Sequence, residues 1–197
     1  VAKRGLAIAA AGRHNTLMIG PPGTGKTMLA RALESILPPL LLDEALEVTA
    51  IHSVAGTLTS DILTTAPFRT PHHTASHTSL VGGGAHPRPG EVTLAHRGVL
   101  FLDEFPEFER RSIDALRQPL EDRVVSISRV QSSAQFPADF MLVAAMNPHR
   151  GGVDMDTPLE DQVSDTYRKK LSGPILDRID LSLDVAHITY DTLTEKR

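Results

Sequence analysis

The chain of 197 residues contains no cysteine and no tryptophan, and aromatic residues make up only 4% of it. Without cysteine it has neither disulfides nor thiolate metal sites, which agrees with a reducing compartment, so we expect a cytoplasmic location. The longest apolar runs are about six residues, far short of a membrane span, and we expect no membrane contact. The formal net charge is −4. Any contact with nucleic acid would therefore have to be local.

The apolar residues predict a layered α/β fold. Residues 16–19, 99–102 and 141–146 form short, mainly apolar runs, which are typical of strands covered on both faces in a parallel sheet. Residues 179–185 alternate apolar and polar side chains, as a strand with one wetter face does. Helical spacing of apolar residues falls between these runs. We therefore predict one domain, a three-layer αβα sandwich around a mainly parallel sheet of about five strands.

Two segments depart from this alternation. Residues 55–90 are rich in Thr, Ser, Gly, Pro and His, and they predict irregular loops with a short hairpin, of a length that is usually functional or mobile. Residues 124–130 and 135–140 predict a strand and its return around a turn. The chain starts at Val1 in mid-sequence style, and we expect it to be part of a longer protein.

The most informative motif is Gly-Pro-Pro-Gly-Thr-Gly-Lys-Thr at residues 20–27, a complete G-x-x-x-x-G-K-[ST] loop. In such loops backbone N–H groups converge on the β-phosphate, the lysine reaches the β/γ oxygens, and the hydroxyl ligates the metal. A helix predicted over 29–37 follows, so the phosphates would lie at a helix N-terminus. The motif predicts a nucleoside triphosphate with Mg²⁺. We assign nucleotide binding to Gly20, Pro21, Pro22, Gly23, Thr24, Gly25, Lys26, Thr27 and Met28, with Lys26 also catalytic and Thr27 a metal ligand.

Asp103 and Glu104 follow the apolar run at 99–102. A strand tip beside the loop would bring Asp103 near the metal, and Glu104 further out could polarise the attacking water. A magnesium site alone needs only the aspartate. The second carboxylate therefore favours hydrolysis over nucleotide binding alone.

Two further polar residues lie at predicted strand ends. Asn147 follows the run at 141–146 and could hydrogen-bond the γ-phosphate or the attacking water, although an Asn before Pro148 also suits a turn. Arg178 precedes the last strand and would lie on the far side of the domain from its own loop. It could act on a neighbouring subunit's nucleotide, as arginine fingers do. The alternative is a surface salt bridge with Asp177 or Asp180.

The remaining polar clusters carry weaker signals. His72, His73 and His77 lie within six residues, which could indicate a metal site, but a structural or substrate-contacting loop is the better interpretation. Arg88, Arg97 and Arg129 are candidate contacts to a phosphate backbone, although single arginines on loops are usually only solvated.

The sequence resembles the AAA+ ATPases, specifically the magnesium-chelatase-like branch typified by the bacterial YifB/ComM proteins. The likeness covers nearly the whole chain. Its most specific stretches are 20–30, 67–73, 87–91, 98–104, 116–121 and 170–180.

The resemblance implies ATP and Mg²⁺ as ligands, Asn147 as sensor 1 and Arg178 as the trans-acting arginine. It also implies a helix-2 insert at about 55–90 and a pre-sensor-1 hairpin at about 123–140, elements that project toward the pore of related rings and can touch DNA. Members typically form hexamers. The N-terminal domain and the helical lid of the family would lie outside this chain. Members often carry a Cys-rich segment after the Asn-Pro, whereas residues 149–166 hold no Cys and are acidic.

Three functions follow as hypotheses. The first is a ring-forming ATPase motor that remodels single-stranded or branched DNA. The second is a chelatase-type subunit that drives metal insertion through a partner enzyme. The third is a scaffold that binds ATP without turning it over, against which Glu104 argues.

Overall fold

A computed structural model describes residues 1–84, 88–128, 133–148, 171 and 173–186. Five parallel strands form the main sheet, and two short antiparallel pairs lie beside it. The strands are β1 (Thr16–Ile19), β2 (Phe68–Arg69), β3 (Gly82–Gly83), β4 (Arg88–Pro89), β5 (Val99–Leu102), β6 (Val124–Ser128), β7 (Ser133–Pro137), β8 (Met141–Met146) and β9 (Leu181–Asp184).

Eight helices are seen in these ranges, with one 3₁₀ turn at Phe105–Glu107. They are α1 (Ala2–Gly12), α2 (Lys26–Glu34), α3 (Leu42–Ala55), α4 (His77–Val81), α5 (Glu91–Leu94), α6 (Arg110–Asp114), α7 (Arg117–Asp122) and α8 (Gly173–Leu176).

The main sheet has the strand order β2-β5-β8-β1-β9, and every pairing in it is parallel. Alternate residues of the three central strands, β1, β5 and β8, enter two separate cores. Leu100, Leu102 and Leu142 lie in one core, whereas Phe101 and Val143 lie in the other with residues of α1 and α2. Both faces of the sheet are therefore covered by helices, and the predicted αβα sandwich of about five parallel strands is confirmed.

The strand order of the sheet could not be predicted from the sequence. The strand that ends in Asp103 does not pair with the strand that leads into the glycine loop, because β8 lies between β1 and β5 and pairs with both. Strand order is a tertiary property that apolar runs do not encode. Since all three strands are parallel, their carboxyl ends still meet at one edge.

Helix α2 is shorter than predicted and buries part of the predicted face. It ends at Glu34, and its buried residues are Lys26, Ala30 and Leu33. Of the predicted face over 29–37, Leu29 and Leu37 pack against the core beside Leu33, whereas Ile36 lies beyond the helix and is 51% exposed. The spacing of Ala30 and Leu33 from Lys26 still places all three on one helical face.

Residues 55–90 contain more order than their composition predicts. Phe68–Arg69 forms the edge strand β2 and pairs with Val99 and Leu100. Prolines at positions 67 and 71 flank this two-residue strand, and proline usually argues against a strand. The guanidinium of Arg69 donates to both carboxylate oxygens of Glu91 at 2.7 and 2.9 Å, which ties β2 to α5. The predicted short hairpin is present as β3 and β4.

The second predicted hairpin is also present. Strands β6 and β7 pair antiparallel from Val124 with Pro137 to Ser128 with Ser133. The return strand begins earlier and ends earlier than predicted, at Ser133–Pro137. Its turn lies outside the described residues.

The parallel sheet has two ends with different contents. We call the ends of the strands that lead into Gly20, Asp103 and Asn147 the carboxyl edge. The opposite end, where the residues just before each strand lie, is the amino edge. Polar residues gather at both edges, with Asp103 and Asn147 at the carboxyl edge and Asn15 and Asp180 at the amino edge.

Candidate functional site

An open cleft of about 350 Å³ lies at the carboxyl edge. Three separate segments line it: the glycine loop, the Asp103–Glu104 pair, and Met146 with Asn147. These segments follow β1, β5 and β8, so the parallel sheet brings together residues that are far apart in the sequence. In open α/β sheets this is the edge where ligands bind.

The backbone of the loop depends on glycine at two kinds of position. Gly23 and Gly25 have φ angles of 78° and 83°, in the left-handed region that favours glycine. At Gly20 the reason is space, because a Cβ there would lie 2.3 Å from the carbonyl oxygen of Val185. Glycine at these positions therefore allows the tight turn of the loop and its close approach to the residue just after β9.

Lys26 is buried, and each of its three N–H groups has an acceptor. Its Nζ donates to the carbonyl oxygens of Gly20 and Pro21 at 2.7 and 2.8 Å and to Oδ1 of Asn147 at 3.0 Å. Burial lowers the pKa of Lys26, and the charge of Asp103 opposes that shift. The ammonium group therefore lies between the loop and the end of β8.

Thr27 and Asp103 are in direct contact. The Thr27 hydroxyl donates to Oδ2 of Asp103 at 2.6 Å, and the backbone N–H of Glu104 donates to Oδ1 at 3.0 Å. A hydroxyl and a carboxylate are the hard oxygen ligands that Mg²⁺ prefers. The two residues that the sequence assigned to the metal therefore lie together and have the chemistry that fits it.

Glu104 lies at the mouth of the cleft and has a partner that the sequence reasoning missed. Its backbone is left-handed, with φ 51°, which is uncommon for a residue other than glycine. Its Oε2 lies 2.9 Å from Nδ1 of His73. The His73 ring lies edge-on to Phe108 and packs on the ring of His72 at a centroid distance of 4.1 Å. The histidine cluster in the sequence was the only signal for this contact.

The remaining loop residues support the backbone or face solvent. The Thr24 hydroxyl donates to the carbonyl oxygen of Pro21 at 2.9 Å, within the loop. Pro22 contributes to the cleft. Met28 is 72% exposed and does not line the cleft.

Arg178 lies at the amino edge, three residues before β9, and away from this cleft. Its guanidinium pairs with Glu121 of α7, and its Nη1 donates to the carbonyl oxygen of Pro174. The sequence named Asp177 and Asp180 as alternative partners. Neither of these aspartates pairs with Arg178 in the structure. Asp180 accepts instead from the backbone N–H of Asn15 at 2.7 Å.

The histidines and loop arginines have specific positions. Among the residues that the structure describes, no group of three or more His, Cys, Asp or Glu could hold a metal ion. Arg88 is exposed, whereas Arg97 pairs with Glu47 and Asp139 at 3.1 and 3.0 Å. Arg129 and the acidic segment 149–166 lie outside the described residues. Within the same limits, no helix is long and apolar enough to cross a membrane.

A comparison with known sequences gives a family match. The family model described as magnesium chelatase, subunit ChlI, matches residues 1–193. YifB of Salmonella typhimurium is 54% identical over 93% of the chain and 37% of its own length. The competence protein ComM of Haemophilus influenzae is 54% identical over 98% of the chain and 38% of its own length. The chain thus spans little more than a third of these relatives.

More distant proteins share parts of the same pattern. The DNA replication licensing factor mcm-6 of Caenorhabditis briggsae is 26% identical over 86% of the chain and 18% of its own length. A crystal structure of NtrX from Brucella abortus in complex with ADP has a TM-score of 0.61. It covers 94% of this chain and 34% of that chain at 17% identity, a likeness of fold alone.

The αβα sheet order, the glycine loop and the carboxylates after β5 define a P-loop domain of the AAA+ ATPase class. The match over residues 1–193 and the 54% identity to ComM go further. The chain belongs to the magnesium chelatase, subunit ChlI family, and within it resembles the YifB/ComM proteins.

Proposed function

We propose that this chain is the ATP-binding and ATP-hydrolysing core of a ring-forming motor that couples hydrolysis to DNA remodelling. One observation carries the ATPase part of the proposal. Lys26, Thr27, Asp103, Glu104 and Asn147 meet at one edge of the sheet, whereas Arg178 lies at the other.

Each residue at the carboxyl edge has a proposed role. The loop from Gly20 to Met28 holds the triphosphate, with Lys26 on the β/γ oxygens. Thr27 and Asp103 would hold Mg²⁺, which would neutralise charge on the phosphates. Glu104 accepts a proton from the attacking water, and Asn147 orients that water or the γ-phosphate.

Arg178 requires a neighbouring subunit in this scheme. It lies at the amino edge, so in this proposal it serves the nucleotide of the next copy of the chain in a homo-oligomeric ring, which the resemblance implies is a hexamer. Arginines supplied in this way raise phosphoryl-transfer rates by about 10³ to 10⁵. The 197 residues alone would therefore be largely monomeric and would bind ATP better than they cleave it.

The domain arrangement is part of the proposal. Residues 1–197 form the AAA+ core, with the insert at about 55–90 and the hairpin at about 123–140. The N-terminal domain and the helical lid belong to the rest of a longer protein. The share of ComM and YifB that the chain spans, 38% and 37%, supports this division. A cytoplasmic location completes the proposal.

Two features support DNA as the partner. The hairpin of β6 and β7 and the segment around β3 and β4 lie outside the main sheet, as elements that contact a threaded polymer would. The relative mcm-6 is named as a DNA replication licensing factor. The family description favours the alternative, a chelatase-type subunit that acts on a partner enzyme.

The deciding experiment is the ATPase rate of the whole protein with and without single-stranded and branched DNA at low salt. We expect DNA binding and a several-fold increase in turnover, which Glu104→Gln abolishes. No stimulation together with no binding at low salt would exclude the DNA motor. Co-purification with a large porphyrin-binding subunit would establish the chelatase alternative.

A further inference from the structure

Arg178 is held at several points, and they come from different parts of the chain. Its Nη2 pairs with Oε1 of Glu121, and its Nη1 donates to the carbonyl oxygen of Pro174. Its own carbonyl oxygen accepts from Nδ2 of Asn15 at 3.0 Å, and its N–H donates to the carbonyl oxygen of Ile175 at 3.1 Å. Both the backbone and the guanidinium are therefore fixed.

Asn15 fixes the backbone through a clamp at the amino edge. Its Oδ1 accepts from the N–H of Leu142 at 2.9 Å, and its carbonyl oxygen accepts from Asp180 and Leu181 at 2.9 and 3.1 Å. The start of β9 is thereby tied to β1 and β8. These hydrogen bonds fix the position of the Arg178 backbone, and so of the start of its side chain, relative to the sheet.

Glu121 holds the other end of the side chain. It belongs to α7, and it is 45% exposed, while Arg178 is 27% exposed. An ion pair with this much exposure contributes little to the stability of a fold. Its effect on geometry is larger, because a free arginine has many rotamers and a paired one has few.

The guanidinium keeps hydrogen-bonding capacity for a further partner. Of its five N–H groups, Glu121 and the carbonyl oxygen of Pro174 each take one. Among the residues that the structure describes, one N–H on each terminal nitrogen and the buried Nε–H have no partner. Arginine N–H groups bind phosphate oxygens strongly.

We propose that Glu121 is a positioning residue for Arg178, holding the guanidinium ready for the γ-phosphate bound by a second copy of this chain. The inference rests on the proposed function, in which Arg178 acts in trans. Glu121 itself contacts neither nucleotide nor reacting atoms. It acts through Arg178 alone.

The test uses ATP turnover of the whole, assembled protein. Glu121→Gln keeps the size of the side chain and removes its charge, and we expect kcat to fall about tenfold, with KM for ATP within twofold of wild type. Arg178→Ala should lower kcat by at least about 100-fold. The double variant should match Arg178→Ala alone, because a residue that acts through another adds nothing once that residue is gone. Asp122→Asn, an exposed neighbour on the same helix, is the matched control and should keep wild-type turnover.

The outcomes separate this inference from the function on which it rests. If Arg178→Ala keeps wild-type turnover, the trans role of Arg178 is wrong. If Arg178→Ala is inactive but Glu121→Gln is not impaired, only the positioning role is wrong. A double variant well below Arg178→Ala, or a fall in melting temperature and in affinity for a fluorescent ATP analogue, would show a structural role and overturn the proposal.

Discussion

The two edges of the same sheet use their polar residues in opposite ways. At the carboxyl edge the charged groups form short contacts with the glycine loop and with each other, around an open cleft. At the amino edge the charged groups are joined in a network, and its centre is Asp139, which is only 14% exposed. Three arginines pair with that carboxylate: Arg13, Arg97 and Arg123.

The difference lies in what the polar side chains hold. Those of the carboxyl edge hold the glycine loop and line its cleft, whereas those of the amino edge join the end of α1, α3 and the segment between β7 and β8. Arg178 lies at the amino edge, but its proposed role is in the reaction at the carboxyl edge of a neighbouring copy. Mutations at the two edges should therefore affect different measured quantities.

The largest effect should come from the carboxyl edge. Glu104→Gln removes the proposed base, so we expect kcat of the whole protein to fall by about 100-fold or more while ATP affinity and melting temperature stay unchanged. Steady-state ATPase assays and equilibrium binding of a fluorescent ATP analogue measure the two parts. Glu109→Gln, an exposed glutamate nearby, is the control. Wild-type turnover in Glu104→Gln would show that Glu104 is not the general base.

The second effect should come from the amino edge and should concern stability. Asp139→Asn leaves three arginines without their carboxylate, and we expect the free energy of unfolding to fall by about 2 kcal/mol, less than for a fully buried pair because the arginines are partly hydrated. Urea unfolding measures it. Asp114→Asn breaks an exposed pair with Arg110 and should cost under about 0.5 kcal/mol. ATP affinity should not change, and a large loss of it would mean that the two edges are not separate.

The third prediction concerns the contact between His73 and Glu104. His73→Ala frees the glutamate, and we expect kcat to fall about tenfold, close to 1.4 kcal/mol in activation free energy. His73→Gln, which still has a donor, should recover part of the loss. His77→Ala from the same segment should behave as wild type. Equal turnover in His73→Ala and wild type would show that the contact has no role in the reaction.

The smallest effect should be a dependence of stability on pH. Burial lowers the pKa of His96. The charged groups around its ring are the carboxylates of Glu47 and Asp139 and the guanidinium of Arg97. Its Nδ1 accepts from the N–H of Asp139, so Nε2 carries the proton and lies 3.1 Å from the Glu47 carboxylate. Burial also lowers the pKa of His52. The folded protein therefore binds protons at these two rings less readily than the unfolded chain does.

The direction follows from proton binding. Below the ordinary histidine pKa of about 6.5 the unfolded chain binds protons that the folded chain does not, so stability falls as the pH is lowered. The pKa of Glu47 is also lowered, chiefly by its hydrogen bond to His96. Its contribution to stability is therefore also lost as the pH falls, in a lower pH range than that of the histidines. Urea unfolding between pH 7.5 and 5.5 measures the slope. His96→Gln should flatten it. If the slope is unchanged in His96→Gln, groups other than His96 cause the pH dependence.

Much of the carboxyl edge could be predicted from the sequence. The glycine loop, Asp103 and Glu104 are contiguous motifs, and local spacing fixes which atoms can reach a phosphate or a metal. The buried strands were visible for a similar reason, since residues covered on both faces must be continuously apolar. The edge strand Phe68–Arg69 was not, because a two-residue strand close to prolines gives no periodic signal.

The sequence by itself determined the αβα layers and the position of the loop, and it predicted the ligand class. Only the tertiary structure decided that β8 separates β1 from β5, that His73 meets Glu104 and that Glu121, rather than Asp177 or Asp180, pairs with Arg178. The physical reason is the range of the interactions. A phosphate loop is made by neighbouring residues, whereas ion pairs and strand order depend on which distant segments the packed sheet brings within a few ångströms of each other.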